Sequence, residues 1–202
     1  SFKNTPQNNF LLLGQSYLRL IKKIEEKSIV LDKIAEISNG VNTGNAAPVL
    51  LSPSPRNKMF RKILEGKDIG RYSLNWNGLW INYDKTLKDR IDLNKLSTRQ
   101  KKIDFALRDE TIFNDPKIII RQTADCLIAT FDDQKYITRH STHLIRSRLN
   151  NVSIKYLLGI LNSKLMNFYY RLIVPEAGKA FAEVKIVNLE RLPIMVEENQ
   201  TY

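Results

Sequence analysis

The chain has 202 residues, 43% of them hydrophobic, which suits one domain of generous size, or one domain plus an extension, with a real core rather than a disordered segment. Lys and Arg number 32 against 21 Asp and Glu, a formal balance of +11, and a pI near 9.7 points to an anionic partner, nucleic acid before membrane surfaces or acidic proteins. No apolar run approaches the roughly 20 residues that span a bilayer, no secretory signal is present, and the single Cys126 excludes an internal disulfide.

Residues 1 to 8, polar and carrying Pro6, read as a linker, and the domain proper as 9–202. The chain opens on Ser1 and not on Met, so a segment of a longer protein is expected. From Phe10 to Lys27 the residues Leu13, Tyr17, Leu20, Ile21 and Ile24 recur at helical spacing, which predicts an N-terminal amphipathic helix within 9–28. Leu31 to Ile37 alternates apolar and polar as a half-buried strand does, and Ser38 to Asn45 is rich in turn formers. Ala47 to Leu51 reads as a strand ended by Pro53 and Pro55. Tyr72 to Leu74 and Leu79 to Tyr83 read as two strands of a hairpin closed by Asn75-Trp-Asn-Gly78.

Residues 85 to 108 are strongly charged, with Leu87, Ile91, Leu96, Ile103 and Leu107 spaced as in one or two surface helices. Lys117 to Gln122, Leu127 to Phe131 and Thr142 to Arg148 read as strands. Cys126, beside an apolar run, reads as a small packing residue in a reducing cytoplasm. Ser153 can cap a helix that continues to Arg171, and Pro175 and Gly178 break it. Strands and helices do not alternate regularly, so the fold class is α+β rather than a doubly wound sheet.

Group-transfer chemistry needs a cradle, and the sequence offers neither G-x-G-x-x-G nor G-x-x-x-x-G-K-[ST]. His140 and His143 are too few for a metal site, and on a strand their spacing places them on opposite faces. Glu183-Val-Lys185 has the spacing of a Mg²⁺-dependent nuclease, with Asp132 and Asp133 the nearest upstream pair of aspartates, but the spacing is common by chance, no Pro-Asp precedes it, and a surface salt bridge beside Val184 is the plainer reading. What the chain does have is amide and cationic residues beside turns. Asn and Gln suit adenine N6 and N7, and Arg and Lys suit guanine O6 and N7. Asn42, Thr43 and Asn45 share one loop, and Arg121 and Gln122 end a strand; these are the candidate base contacts. Arg61, Lys62, Lys67, Arg71 and Lys179 are the candidate phosphate contacts.

Five segments in order resemble the C-terminal specificity domain of TaqI-like and Eco57I-like adenine-specific DNA methyltransferases and restriction-modification enzymes. They are Leu31 to Asn45, Ile63 to Tyr72, Pro116 to Thr123, Tyr156 to Ser163, and Phe181 to Lys185 with Leu192-Pro-Ile194. More distantly the pattern is similar to one recognition half of a type I specificity subunit. The resemblance implies a curved, mostly antiparallel sheet with flanking helices. It also implies double-stranded DNA as partner, and a methyltransferase domain of the same polypeptide that binds S-adenosylmethionine and flips the target adenine. The Asn-Pro-Pro-Tyr motif of that domain does not occur here, so this chain is expected to read DNA without cofactor or catalysis of its own. A Mg²⁺-dependent nuclease using Glu183 and Lys185, and a protein-interaction module, remain the alternatives.

Overall fold

Ile118, Ile119 and Ile120 are consecutive and all fully buried. Successive side chains of a strand point to opposite faces, so the strand that holds them must be covered on both sides. A computed structural model, describing residues 2–4, 10–12, 14–97, 99, 102–174 and 182–196, shows what covers it.

At the start of the chain, β1 (Phe2–Asn4) pairs antiparallel with β2 (Phe10–Leu12). The presumed linker therefore contains a strand, and α1 (Gln15–Glu26) begins later than the expected residue 9. Phe10, Leu11 and Leu12 are consecutive apolar residues and do not form the stripe a helix needs. After β3 (Ile29–Val30), the Leu31–Ile37 alternation divides into the single turn α2 (Leu31–Ile34) and the strand β4 (Ala35–Asn39). Leu31 and Ile34 are three apart and both enter the core, which only a helical turn allows. The strand expected at Ala47 is instead α3 (Ala47–Leu50), because Pro48 sits in its first turn, where a missing N–H is no loss.

Next come β5 (Leu51–Ser52), β6 (Phe60–Leu64), β7 (Ile69–Gly70), β8 (Ser73–Leu74) and β9 (Trp80–Asn82). The expected hairpin does not form: β8 pairs with β7, whereas β9 pairs with β5 and β6. Among its described residues the charged stretch holds no α-helix but 3₁₀ turns at Lys85–Asp89 and Leu93–Lys95, with a third at Glu110–Phe113. Each starts at an aspartate (Asp84, Asp92, Asp109) whose side chain accepts a backbone N–H two residues on.

The expected strands follow as β10 (Lys117–Arg121), β11 (Ala129–Asp132) and β13 (Thr142–Ser147), with the short β12 (Ile137–Thr138) between the last two. One helix was expected to reach Arg171, but there are two, α4 (Ile154–Asn162) and α5 (Lys164–Ile173). The break is at Ser163, whose Oγ accepts the Met166 N–H at 3.0 Å, while Ser153 makes no such capping bond. The last elements are α6 (Ile186–Leu189) and β14 (Pro193–Ile194), the latter paired with β3.

The class is α+β, and among the described residues the named strands pair antiparallel except β6 with β12. Instead of one sheet there are two four-stranded ones, in the orders β11-β10-β13-β4 and β12-β6-β9-β5, beside two-stranded pairs. The first sheet is the middle layer. Ile118, Ile120 and Ile145 face the helices, packing with Ile21, Leu157, Leu161 and Tyr170. Ile119 and Leu144 face the second sheet, packing with Ile63, Leu64, Ile81 and Phe113. Burying each isoleucine of β10 contributes about 1.5–3 kcal/mol. Two asparagines close the outer edge of β11. Asn162 accepts from Ala129 N (3.0 Å) and donates to Ala129 O (2.9 Å), and Asn167 accepts from Leu127 N (2.8 Å).

Candidate nucleic-acid interface

The first sheet ends in a loop that only glycine permits. Where β4 stops at Asn39, a Cβ on Gly40 would lie 2.3 Å from the Arg139 carbonyl oxygen and 2.4 Å from that of Thr138. That close approach lets Val41 N donate to Thr138 O (2.7 Å) and His140 N to Val41 O (2.9 Å). Gly44 adopts φ +43°, and a Cβ there would collide with Asp104 O. The 102–106 segment is thereby laid over the loop, with Asn42 and Ala106 exchanging backbone bonds at 3.2 and 2.8 Å.

This covering corrects two of the expected base contacts. Thr43 is fully buried, and its hydroxyl accepts from Arg139 Nη2 at 3.0 Å. Asn45 is buried too; its amide donates to Lys102 O and accepts from Asp104 N, so it holds the covering segment in place. Asn42 remains exposed at the tip, its Oδ1 accepting from Gly44 N at 3.0 Å.

Asn42 and Gln122, distant in sequence, meet in one open cleft of about 450 Å³ with Asn39, Gly40, Ala106, Arg108 and His140. Beside it lies a second cleft of about 280 Å³, lined by Arg121, Thr123, Ser141, Glu65, Gly66 and Lys67. The alternation of an extended chain makes the two adjacent: Arg121 and Thr123 turn to one cleft and Gln122 to the other. His140 and Ser141 divide in the same way. Among the described residues the buried Nε of Arg121 has no hydrogen-bond partner.

Arg139 ties the two clefts together from beneath, donating to Glu65 as well as to Thr43. Burial pushes the Glu65 carboxyl up, but hydrogen bonds from Lys67 and Arg139 overcome it and hold the group below the usual carboxylate range. Lys67, 66% exposed, pairs with Glu65 at 2.8 Å and remains largely open to solvent. His143 is buried under the first cleft, with Nδ1 2.8 Å from Asn39 Oδ1 and Nε2 2.6 Å from Val184 O. Burial depresses its pKa against weaker opposing effects of Val184 O and the Glu183 charge.

Arg61, Lys62 and Arg71, also phosphate candidates, do not line either cleft. Arg61 Nε donates to Glu110 at 2.9 Å, and Lys62 stands over the Trp76 ring at 4.6 Å. Arg71, exposed on the β7–β8 turn, reaches Leu127 O at 3.4 Å. Lys179 lies outside the described residues. Asn39, Arg108, His140 and Arg139 were not read from the sequence. Asn39 adjoins Gly40 in the turn-rich run and carried a local signal, whereas the others arrive through pairing that sequence does not reveal.

Glu183 is taken by Gln122, whose Nε2 donates to it at 2.6 Å, at the far end of β10 from Asp132. Asp132 is buried against Lys117 at 2.5 Å. The two carboxylates the nuclease reading would join are thus separated by the length of a strand, roughly 15–20 Å at about 3.4 Å per residue. Among the described residues no group of three or more His, Cys, Asp and Glu could hold a metal ion, and no helix is long and apolar enough to cross a membrane. Burial and the neighbouring Asp125 push the Cys126 thiol up, in keeping with a packing role.

A family model described as the TaqI-like C-terminal specificity domain matches residues 61–194. The structure of the type IIG restriction endonuclease BpuSI is similar over 90% of this chain and 26% of its own, at 14% identity and a TM-score of 0.56. That of the type IIL restriction-modification enzyme MmeI is similar over 79% of this chain and 23% of its own, at 14% identity and a TM-score of 0.44. The chain therefore spans about a quarter of the length of each. No curated protein matches it.

Proposed function

The chain belongs to the TaqI-like C-terminal specificity domain family, and from that premise we propose that it reads the sequence of double-stranded DNA for a restriction-modification enzyme. The observation that carries the reading is the convergence of Asn42, Gln122, Arg108 and His140 in one cleft, beside a second that holds Arg121 and Lys67. Amide and guanidinium groups discriminate base edges, and an exposed lysine at the margin suits a phosphate. The net charge of +11 favours approach to a polyanion.

Catalysis belongs, in this proposal, to a domain joined to the chain: an adenine-specific methyltransferase that binds S-adenosylmethionine. The specificity domain itself supplies grip and register, in the cytoplasm where such DNA lies. The test is selection from a randomised duplex pool at near-physiological salt. Enrichment of a short motif containing adenine is the expected result. Binding without enrichment would reduce the chain to a basic scaffold and sink the proposal.

A further inference from the structure

His143 and Asn39 form a pair whose orientation has consequences for the cleft above it. His143 is 2% exposed, and burial, which here outweighs the opposing Glu183 charge, favours neutral imidazole. The depressed pKa agrees with this. A neutral ring carries one proton, on one nitrogen. Nε2 faces the carbonyl oxygen of Val184 at 2.6 Å, and a carbonyl can only accept, so the proton is on Nε2. Nδ1 is then a lone pair and requires a donor.

The group against Nδ1 is the amide of Asn39, at 2.8 Å. Its oxygen and nitrogen exchange places by a half-turn about χ2, so the chemistry of the neighbour decides which faces the ring. An oxygen there would meet a lone pair with a lone pair, and the NH₂ group meets it with a hydrogen. Asn39 therefore turns Nδ2 inward and its carbonyl oxygen outward into the cleft it lines with Asn42, Arg108 and Gln122.

We propose that Asn39 is a specificity-determining residue, locked by His143 with its acceptor oxygen toward the DNA, and that it selects an exocyclic amine of adenine or cytosine in the major groove. Those amines are the donors the major groove presents, while guanine and thymine offer oxygen acceptors at the equivalent edge. The proposal rests on the DNA-reading assignment of the cleft.

The test has two arms. Nitrogen-15 NMR of the 202-residue chain reads the tautomer directly; it holds 2 histidines, so His140→Gln assigns both. A neutral His143 protonated on Nε2 is expected at neutral pH, and an imidazolium or an Nδ1-protonated ring overturns the orientation whether or not DNA binds. The second arm uses the motif selected by the wild-type chain and duplexes in which one adenine or cytosine at a time is replaced by its analogue lacking the exocyclic amine. At one position the wild type should lose about tenfold in affinity or more, and Asn39→Ala, already weakened on the intact motif, should lose nothing further there. A motif with every position equally sensitive in both proteins overturns the role of Asn39 and leaves the cleft's assignment standing. A wild type that selects no motif removes both, with the tautomer result recorded independently.

Discussion

Arg121 and Lys67 line the same cleft but differ in what they can do. The guanidinium is half-buried, its Nε unpartnered among the described residues, and its fixed fork suits a base edge. The ammonium is exposed beside the Glu65 carboxylate. Arg121→Ala should cost about 1–3 kcal/mol on a cognate duplex and little on random DNA; equal losses on both would remove it from base reading. Lys67→Ala should weaken all sequences alike and flatten the log–log salt slope by about 0.9, and an unchanged slope would deny it a phosphate.

His143 makes a separate prediction on stability. Its folded pKa lies below the ordinary value of 6.5, chiefly through burial and despite Glu183, so the unfolded chain protonates first on acidification. The contribution is complete above about pH 6.5 and declines as pH falls from there toward the folded pKa. Melting temperature should therefore fall more steeply below pH 6.5 in the wild type than in His143→Gln; parallel profiles would contradict it. At this scale the sequence singled out Asn42, Arg121, Gln122 and Lys67, which line the two clefts, because each sits beside a local turn or strand end. It misplaced Thr43 and Asn45, because a polar, glycine-bearing run looks solvent-facing and nothing near it announces that residues 102–106 will cover it.

Among the elements, the strands legible in sequence were those with a dense β-branched signature, above all β10. Less legible were segments whose partner decides their form. Leu31 to Ile37 alternates well enough for a strand, yet the core takes Leu31 and Ile34 together and winds the first half. The long C-terminal helix has continuous apolar spacing, and its break at Ser163 shows only in a capping bond. That break also lets Asn162 and Asn167 address the outer edge of β11, and their role was invisible because asparagines in an apolar helix read as surface. Asn162→Ala leaves the Ala129 N–H buried without its acceptor, at a cost of about 1–3 kcal/mol. Urea unfolding checks it, and a loss below about 0.5 kcal/mol would mean that the edge finds another partner.

For the molecule as a whole, the α+β class was readable from the irregular order of elements, while the division into two sheets, one of them the central layer, was not. A buried ion pair links two neighbouring strands of the central layer. Lys117, at the start of β10, donates to the Phe113 carbonyl (2.7 Å) and meets Asp132, both side chains fully inaccessible. Asp132 also accepts from the backbone of Gln134 and Tyr136 and so organises the turn after β11. Lys117→Met should cost about 3–5 kcal/mol, since it strands a buried carboxylate; a variant as stable as the wild type would show that Asp132 takes a proton at little cost.

The enclosure of β10 on both faces has a kinetic counterpart. The amides of Ile118 to Ile120, fully buried, should exchange with deuterium only when the whole domain opens, whereas those around Gly40, Gly44 and His140 should exchange through local openings of lower free energy. A duplex seated in the clefts should slow the second set far more than the first, so an exchange map taken with and without DNA would trace the reading surface amide by amide against an internal standard the protein carries in its own central strand.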